Sequence, residues 1–100
     1  MTTANVYVTG HATERIKERY GLKSGKKIQH LCNIAYERGV KSENAKGALR
    51  KWIDRKTRSG TFISCYHEYA FVFSDSAKCI TILQIPTGIK KNFSKLVIPA

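Results

Sequence analysis

Acidic residues are scarce in this chain, which has seven Asp and Glu against 18 Lys and Arg. The formal net charge is +11 over 100 residues, and so large an excess of one sign indicates a polyanionic partner. Nucleic acid is the first candidate because it carries a dense row of phosphates. A membrane surface is the weaker alternative, since no predicted helix has an exposed aromatic face to insert.

Long hydrophobic runs are also missing from the sequence. No stretch approaches the roughly 20 apolar residues that are needed to span a bilayer. Residues 1–9 lack the charged start and apolar run of a secretory signal. We therefore expect a soluble, cytoplasmic protein. A hydrophobic content of 42% fits one core, so we expect a single domain over residues 1–100.

Cysteine is rare as well: Cys32, Cys65 and Cys79 are widely spaced and lie within apolar segments. An odd number in such positions favours buried free thiols in a reducing compartment. The three histidines are equally scattered, so no cysteine and histidine spacing indicates a metal site. The sequence predicts neither a metal ion nor another cofactor.

Helical periodicity marks the first part of the chain. Apolar side chains recur at three- and four-residue spacing over residues 10–20, 26–38 and 43–56, which predicts three helices. In the first of these, Ala12, Ile16 and Tyr20 form a narrow apolar stripe, and Gly21 marks its end. A short extended lead-in over residues 5–9 could pair at a sheet edge.

After Gly60 the apolar pattern changes to a period of two, which predicts strands over residues 61–66, 69–74, 78–85 and 93–98. Short connections are typical of an antiparallel meander. The predicted fold class is α+β, with about three N-terminal helices (residues 10–58) packed on one face of a four-stranded antiparallel sheet (residues 61–98). The predicted core consists of Ile16, Ile28, Leu31, Ala35, Leu49, Trp52, Phe71, Phe73, Ile80 and Ile82.

A row of cationic side chains lies beside the apolar stripe of the first helix. His11, Arg15 and Arg19 follow one another in four-residue steps and therefore share one helix edge. Such a position borders the buried face, where a cleft can form. The alternative is a solvated flank whose charges pair with nearby glutamates and with the helix dipole.

Three segments carry a family likeness: residues 11–19 (HATERIKER), 66–73 (YHEYAFVF) and 80–86 (ITILQIP). Their order resembles that of small toxin-like proteins of the barnase, colicin and RelE-like ribonuclease superfamily. Within it, they are similar to a group of phage or mobile-element proteins whose N-terminal helix reads H-A-x-x-R-x-x-E-R. The resemblance implies helices on a four-stranded antiparallel sheet and metal-independent RNA cleavage. By position it matches His11, Arg15, Arg19 and Thr81 to the family's motif residues.

Metal-independent RNA cleavage needs a base, an acid and cations for the phosphorane charge. Histidine titrates near neutral pH, so His11 is the candidate for proton transfer, while the arginines of the same row supply forked donors for the phosphate. Tyr66 or His67 could supply a second proton, and Thr81 a hydrogen bond. Packing, turn formation and strand filling are the respective alternatives for Tyr66, His67 and Thr81. The candidate catalytic residues are His11, Arg15, Arg19, Tyr66, His67 and Thr81.

The third predicted helix and its tail form the densest cationic segment of the chain. Together with the first helix, this segment is predicted to bind RNA or other nucleic acid. An alternative function is a non-catalytic phage or mobile-element inhibitor that binds a host nucleic-acid-handling defence complex. The expected protein partner is an antitoxin or such a nucleoprotein complex. His30 lies off the apolar stripe of the second predicted helix and is expected to be solvated. The candidate nucleic-acid-binding residues are Lys46, Arg50, Lys51, Arg55, Lys56 and Arg58.

Overall fold

The computed structural model describes residues 6–98. Within this range the chain forms four α-helices and four strands, with single 3-10 turns at Ser42–Asn44 and Phe93–Leu96. In chain order these are β1 (Tyr7–Val8), α1 (Gly10–Tyr20), α2 (Gly25–Arg38), α3 (Gly47–Lys56), β2 (Thr61–Tyr66), β3 (Tyr69–Ser74), β4 (Lys78–Gln84) and α4 (Thr87–Lys91). None of these helices is both long and apolar enough to cross a membrane.

Helix α1 is fixed to the sheet by its N-cap residue, Thr9. The hydroxyl of Thr9 accepts a hydrogen bond from the backbone N–H of Ala12 at 3.1 Å, which caps the helix. The same hydroxyl donates to the carbonyl of Ile80 in β4, also at 3.1 Å. Gly21 ends the helix in the left-handed conformation, with φ of 69°. The predicted bounds of α1 are therefore confirmed, and its capping residue also sets its position on β4.

The sheet has the strand order β1-β4-β3-β2 and is mixed. Strands β2, β3 and β4 are antiparallel to one another, whereas β1 runs parallel to β4. The prediction of a purely antiparallel sheet with a strand at 93–98 is wrong. The lead-in, whose first predicted residue lies outside the described range, supplies β1 and occupies the free edge of β4. The segment from Phe93 instead forms a 3-10 turn and packs its apolar side chains against α3.

Helices cover both faces of the sheet, which corrects the prediction of helices on one face. Side chains of α1 and α2 pack with Phe71 and Phe73 of β3. Side chains of α3 and of the C-terminal segment pack with Ala70 and partly with Val72, which alternate with the two phenylalanines. All four positions are apolar, so β3 needs cover on both sides. Residues 39–46 carry the chain around the edge of β2, where Val40 pairs with Cys65.

Most of the predicted core is buried, including Trp52, which is 4% exposed. Two predicted core residues, Leu31 and Ile80, are only half-buried. Ile80 lies at an irregularity of the β3–β4 ladder and has no partner across it. Helix α3 begins at Gly47, four residues later than predicted, because Ala45 pairs with Val97 instead of entering the helix.

Candidate functional site

Two adjacent hollows open where the β2–β3 turn meets the end of α1 and the start of α2. The first has a volume of about 410 Å³ and is lined by Leu22, Lys26, Lys27, His30, Leu31, Ile34, Tyr66 and His67. The second has a volume of about 510 Å³ and is lined by Arg19, Tyr20, His67, Glu68 and Tyr69. Because His67 lines both, the two hollows are neighbours, and we refer to them together as the hairpin cleft.

The backbone of the β2–β3 turn holds His67 at the mouth of the hairpin cleft. His67 has φ of 56°, a left-handed conformation that is uncommon in residues other than glycine. The common two-residue turns between antiparallel strands have positive φ at their first residue, which explains the conformation. The centroids of the imidazole and of the Tyr66 ring are 4.2 Å apart, and the two ring planes meet edge to face at an angle of 80°. His67 is thus the turn residue of the alternative interpretation, and its exposed ring also faces a cavity.

The first turns of α2 supply cations and a second histidine to the same cleft. Lys26, Lys27 and His30 are exposed, as expected for His30, and they line the first hollow together with His67. They follow the three- and four-residue spacing of one helix edge. Sequence reasoning did not assign a function to this edge. The signal was the spacing of these three residues, but only the fold brings the β2–β3 turn opposite them.

Tyr20 lies under the second hollow and anchors the end of α1. Its ring packs against those of Tyr69 and Phe71, with centroids 4.9 and 6.3 Å away. Its hydroxyl is buried and has no hydrogen-bond partner among the described residues. Burial, with a smaller contribution from Tyr69, raises the pKa of Tyr20, so the hydroxyl stays protonated at neutral pH. The neighbouring residue, Arg19, lines the same hollow.

The cationic row of α1 reaches the hairpin cleft only at one end. Arg19 lines the cleft, whereas His11 lies eight residues earlier, about 12 Å along the helix axis at 1.5 Å per residue. Between them, Arg15 lies 3.8 Å from the carboxylate of Glu18 in an exposed pair. The three side chains form a line that leads towards the cleft. They do not surround a single point.

Thr81 lies on the opposite face of the sheet from α1. It pairs with Val72 in the β3–β4 ladder, and Val72 packs with the core cluster of α3. The next residue, Ile82, packs with the cluster of α1 and α2 instead. Strand alternation therefore separates Thr81 from His11, Arg15 and Arg19, and these four residues do not form one patch.

The predicted nucleic-acid-binding residues of α3 and its tail are exposed, but they lie on the other side of the sheet from α1. Arg50 lies 3.9 Å from the carboxylate of Asp54 in an exposed pair. The expectation that α1 and this segment build one surface is wrong, because residues 39–46 carry α3 around the edge of β2. We call this second surface the α3 basic face: Lys46, Arg50, Lys51, Arg55, Lys56 and Arg58.

The three cysteines are buried and free, as predicted. Burial raises the pKa of Cys65 to about 12, and a hydrogen bond with Cys32 together with burial raises that of Cys79. The thiols of Cys65 and Cys79 are therefore protonated at neutral pH and poorly nucleophilic. Across residues 6–98, no three His, Cys, Asp or Glu side chains come together as a group that could hold a metal ion.

Comparison with protein-family models, with curated proteins and with solved structures finds no match to this chain.

Proposed function

We propose that the protein binds RNA and cleaves it without a metal ion at the hairpin cleft. The observation that carries the proposal is that His30 and His67 line one hollow with Lys26 and Lys27 at its rim. Two proton-transfer groups and a cationic rim are the side chains that this reaction requires. The net charge of +11 supports a polyanionic substrate.

The reaction is an attack of the ribose 2′-oxygen on the adjacent phosphorus. One imidazole accepts the 2′-hydroxyl proton as the new P–O bond forms, and the other donates a proton to the 5′-oxygen as the old P–O bond breaks. The products are a 2′,3′-cyclic phosphate and a free 5′-hydroxyl, so no water is consumed in this step. Histidine is suited to both tasks because it exchanges protons near neutral pH.

Arg19 is the residue that we propose holds the scissile phosphate. It lines the second hollow beside His67, and its guanidinium can donate two parallel hydrogen bonds to phosphate oxygens. The one acidic residue among those that line the two hollows is Glu68, whose carboxylate lies 3.6 Å from the ammonium of Lys90. This ion pair reduces the repulsion between Glu68 and a bound phosphate.

The proposal changes the roles that the sequence suggested for several residues. His67 and His30 take the place of His11 in proton transfer, because both line the hollow that Lys26 and Lys27 border. His11 and Arg15 are assigned to guiding the RNA strand towards Arg19. Tyr66 becomes a positioning residue for the imidazole of His67, and Thr81 has no part in the reaction.

The test is cleavage of a short RNA oligomer by the purified protein in the presence of a chelator. Cleavage is expected to continue unchanged, and the products should carry 2′,3′-cyclic phosphate and 5′-hydroxyl ends. The matched control is a DNA oligomer of the same sequence, which lacks the attacking hydroxyl and should stay intact. An RNA substrate that survives, or products with 3′-hydroxyl ends, would contradict the proposal.

A second candidate function is non-catalytic binding to a nucleic acid or to a nucleoprotein complex. The observation that favours it is the α3 basic face, which lies across the sheet from the hairpin cleft and needs no catalytic group. This candidate corresponds to an inhibitor of a host defence complex. Tight RNA binding without any cleavage by the wild-type protein would favour it over the ribonuclease.

A further inference from the structure

The first hollow of the hairpin cleft has an apolar floor and a cationic rim. Leu22, Leu31 and Ile34 are half-buried and form the floor, whereas Lys26 and Lys27 at the rim are exposed. A ligand that fits both regions has a flat apolar part joined to an anion. A nucleotide has this chemistry, with its base matched to the floor and its phosphate to the lysines.

The wall of the hollow adds an aromatic surface. The rings of Tyr66 and His67 meet edge to face, and both side chains line the hollow. Unpaired RNA bases commonly stack on tyrosine and histidine rings. The wall and the floor together therefore offer an aromatic and an apolar surface to a base.

We infer that the first hollow of the hairpin cleft binds one unpaired base, so that the substrate is single-stranded RNA. This inference rests on the proposed function and adds the substrate class. A base inside a double helix exposes only its edges, and its flat surfaces are covered by neighbouring bases. Only a strand that can turn a base outward can fill the hollow while its phosphate lies at the rim formed by Lys26 and Lys27.

The test uses an RNA oligomer that carries the fluorescent base 2-aminopurine at one position and a 2′-O-methyl group on every ribose. This modification prevents cleavage, so binding is measured separately from catalysis. The oligomer is titrated with protein as a single strand and again as a duplex with its complement. We expect the single strand to bind about tenfold more tightly. Its 2-aminopurine fluorescence should also change on binding.

The floor of the hollow is tested with Ile34→Gln, and its matched control is Ile98→Gln, which changes an exposed isoleucine outside the cleft. Ile34→Gln is expected to reduce single-strand affinity about tenfold and to leave duplex affinity unchanged. Ile98→Gln should behave as the wild type does. If Ile34→Gln fails to fold, the comparison of single strand with duplex on the wild-type protein still decides.

Equal affinity for the single strand and the duplex would overturn the inference, as would an unchanged fluorescence signal. A free mononucleotide that binds as tightly as the oligomer would also overturn it, because the ligand would then be a small molecule. Cleavage of single-stranded and duplex RNA at the same rate would refute this inference and leave the proposed function standing. A single-strand preference without cleavage would support the base site and refute the ribonuclease.

Discussion

At the scale of single residues, Gly39 is the glycine that leaves the least room for a side chain. It lies at the C-terminal end of α2, where the chain begins to pass around β2. A methyl group at this position would overlap the hydroxyl of Ser64 and the carbonyl of Ala35, and this hydroxyl donates a hydrogen bond to that carbonyl. Both groups are buried, so neither can move aside cheaply.

The substitution Gly39→Ala is therefore expected to destabilise the protein by about 2 kcal/mol or more, because it combines overpacking with a strained buried hydrogen bond. The matched control is Gly25→Ala, since a methyl group at the start of α2 meets nothing within 4 Å. The control is expected to be neutral or slightly stabilising. Urea denaturation of the three proteins measures both effects, and equal midpoints for Gly39→Ala and the wild type would show that the contact is not rigid.

At the scale of helices and strands, the sequence pattern predicts the bounds of those elements that depend only on neighbouring residues. The bounds of α1, β2 and β3 follow from the periodicity and the turn residues, and the structure confirms them. The segment at 93–98 was wrongly predicted as a strand because its apolar residues include an aromatic and two β-branched side chains, whereas in the structure Phe93, Leu96 and Val97 pack with the core cluster of α3. The edge of β4 where a further strand could pair is occupied by β1. Because β1 is distant in sequence, the local pattern at 93–98 does not show this.

The same limit explains which parts of the candidate site were predictable. The α1 row could be read from four-residue spacing, and Arg19 does line the hairpin cleft. His67 was recognised as a turn residue, but its cavity exists only because α2 packs beside the β2–β3 turn. The sequence predicts no function for His30, because an exposed histidine on a helix edge does not indicate a site unless the residues that face it are known. Their catalytic roles remain proposals.

At the scale of the whole molecule, the positive charge is divided between two sides of the sheet. The protein measures 34 × 28 × 26 Å, so an RNA strand that contacts both sides has to pass around an edge. The α3 basic face is then a place that holds the RNA backbone away from the hairpin cleft. It should contribute to affinity and leave the chemical step unchanged.

This division predicts the salt dependence of binding. The slope of log affinity against log salt is negative, and the double variant Lys51→Ala, Arg55→Ala should make it less steep by roughly 1.4. Each lost phosphate contact removes roughly 0.7 from its magnitude for a single strand. The double variant Lys17→Ala, Lys23→Ala removes the same charge outside the α3 basic face and outside the cleft. It should change the slope less. Equal slopes for the two variants would mean that only net charge matters.

The most direct measurement of the central claim is the rate of RNA cleavage by His67→Ala beside His11→Ala. Each variant removes one exposed histidine. The variants are purified in the same way as the wild type, and circular dichroism checks that they are folded. Loss of a proton-transfer group lowers a rate by roughly a hundred- to ten-thousand-fold, so His67→Ala should lose detectable cleavage. His11→Ala should keep most of the wild-type rate. Cleavage that survives His67→Ala and disappears with His11→Ala would contradict the assignment of the reaction to the hairpin cleft.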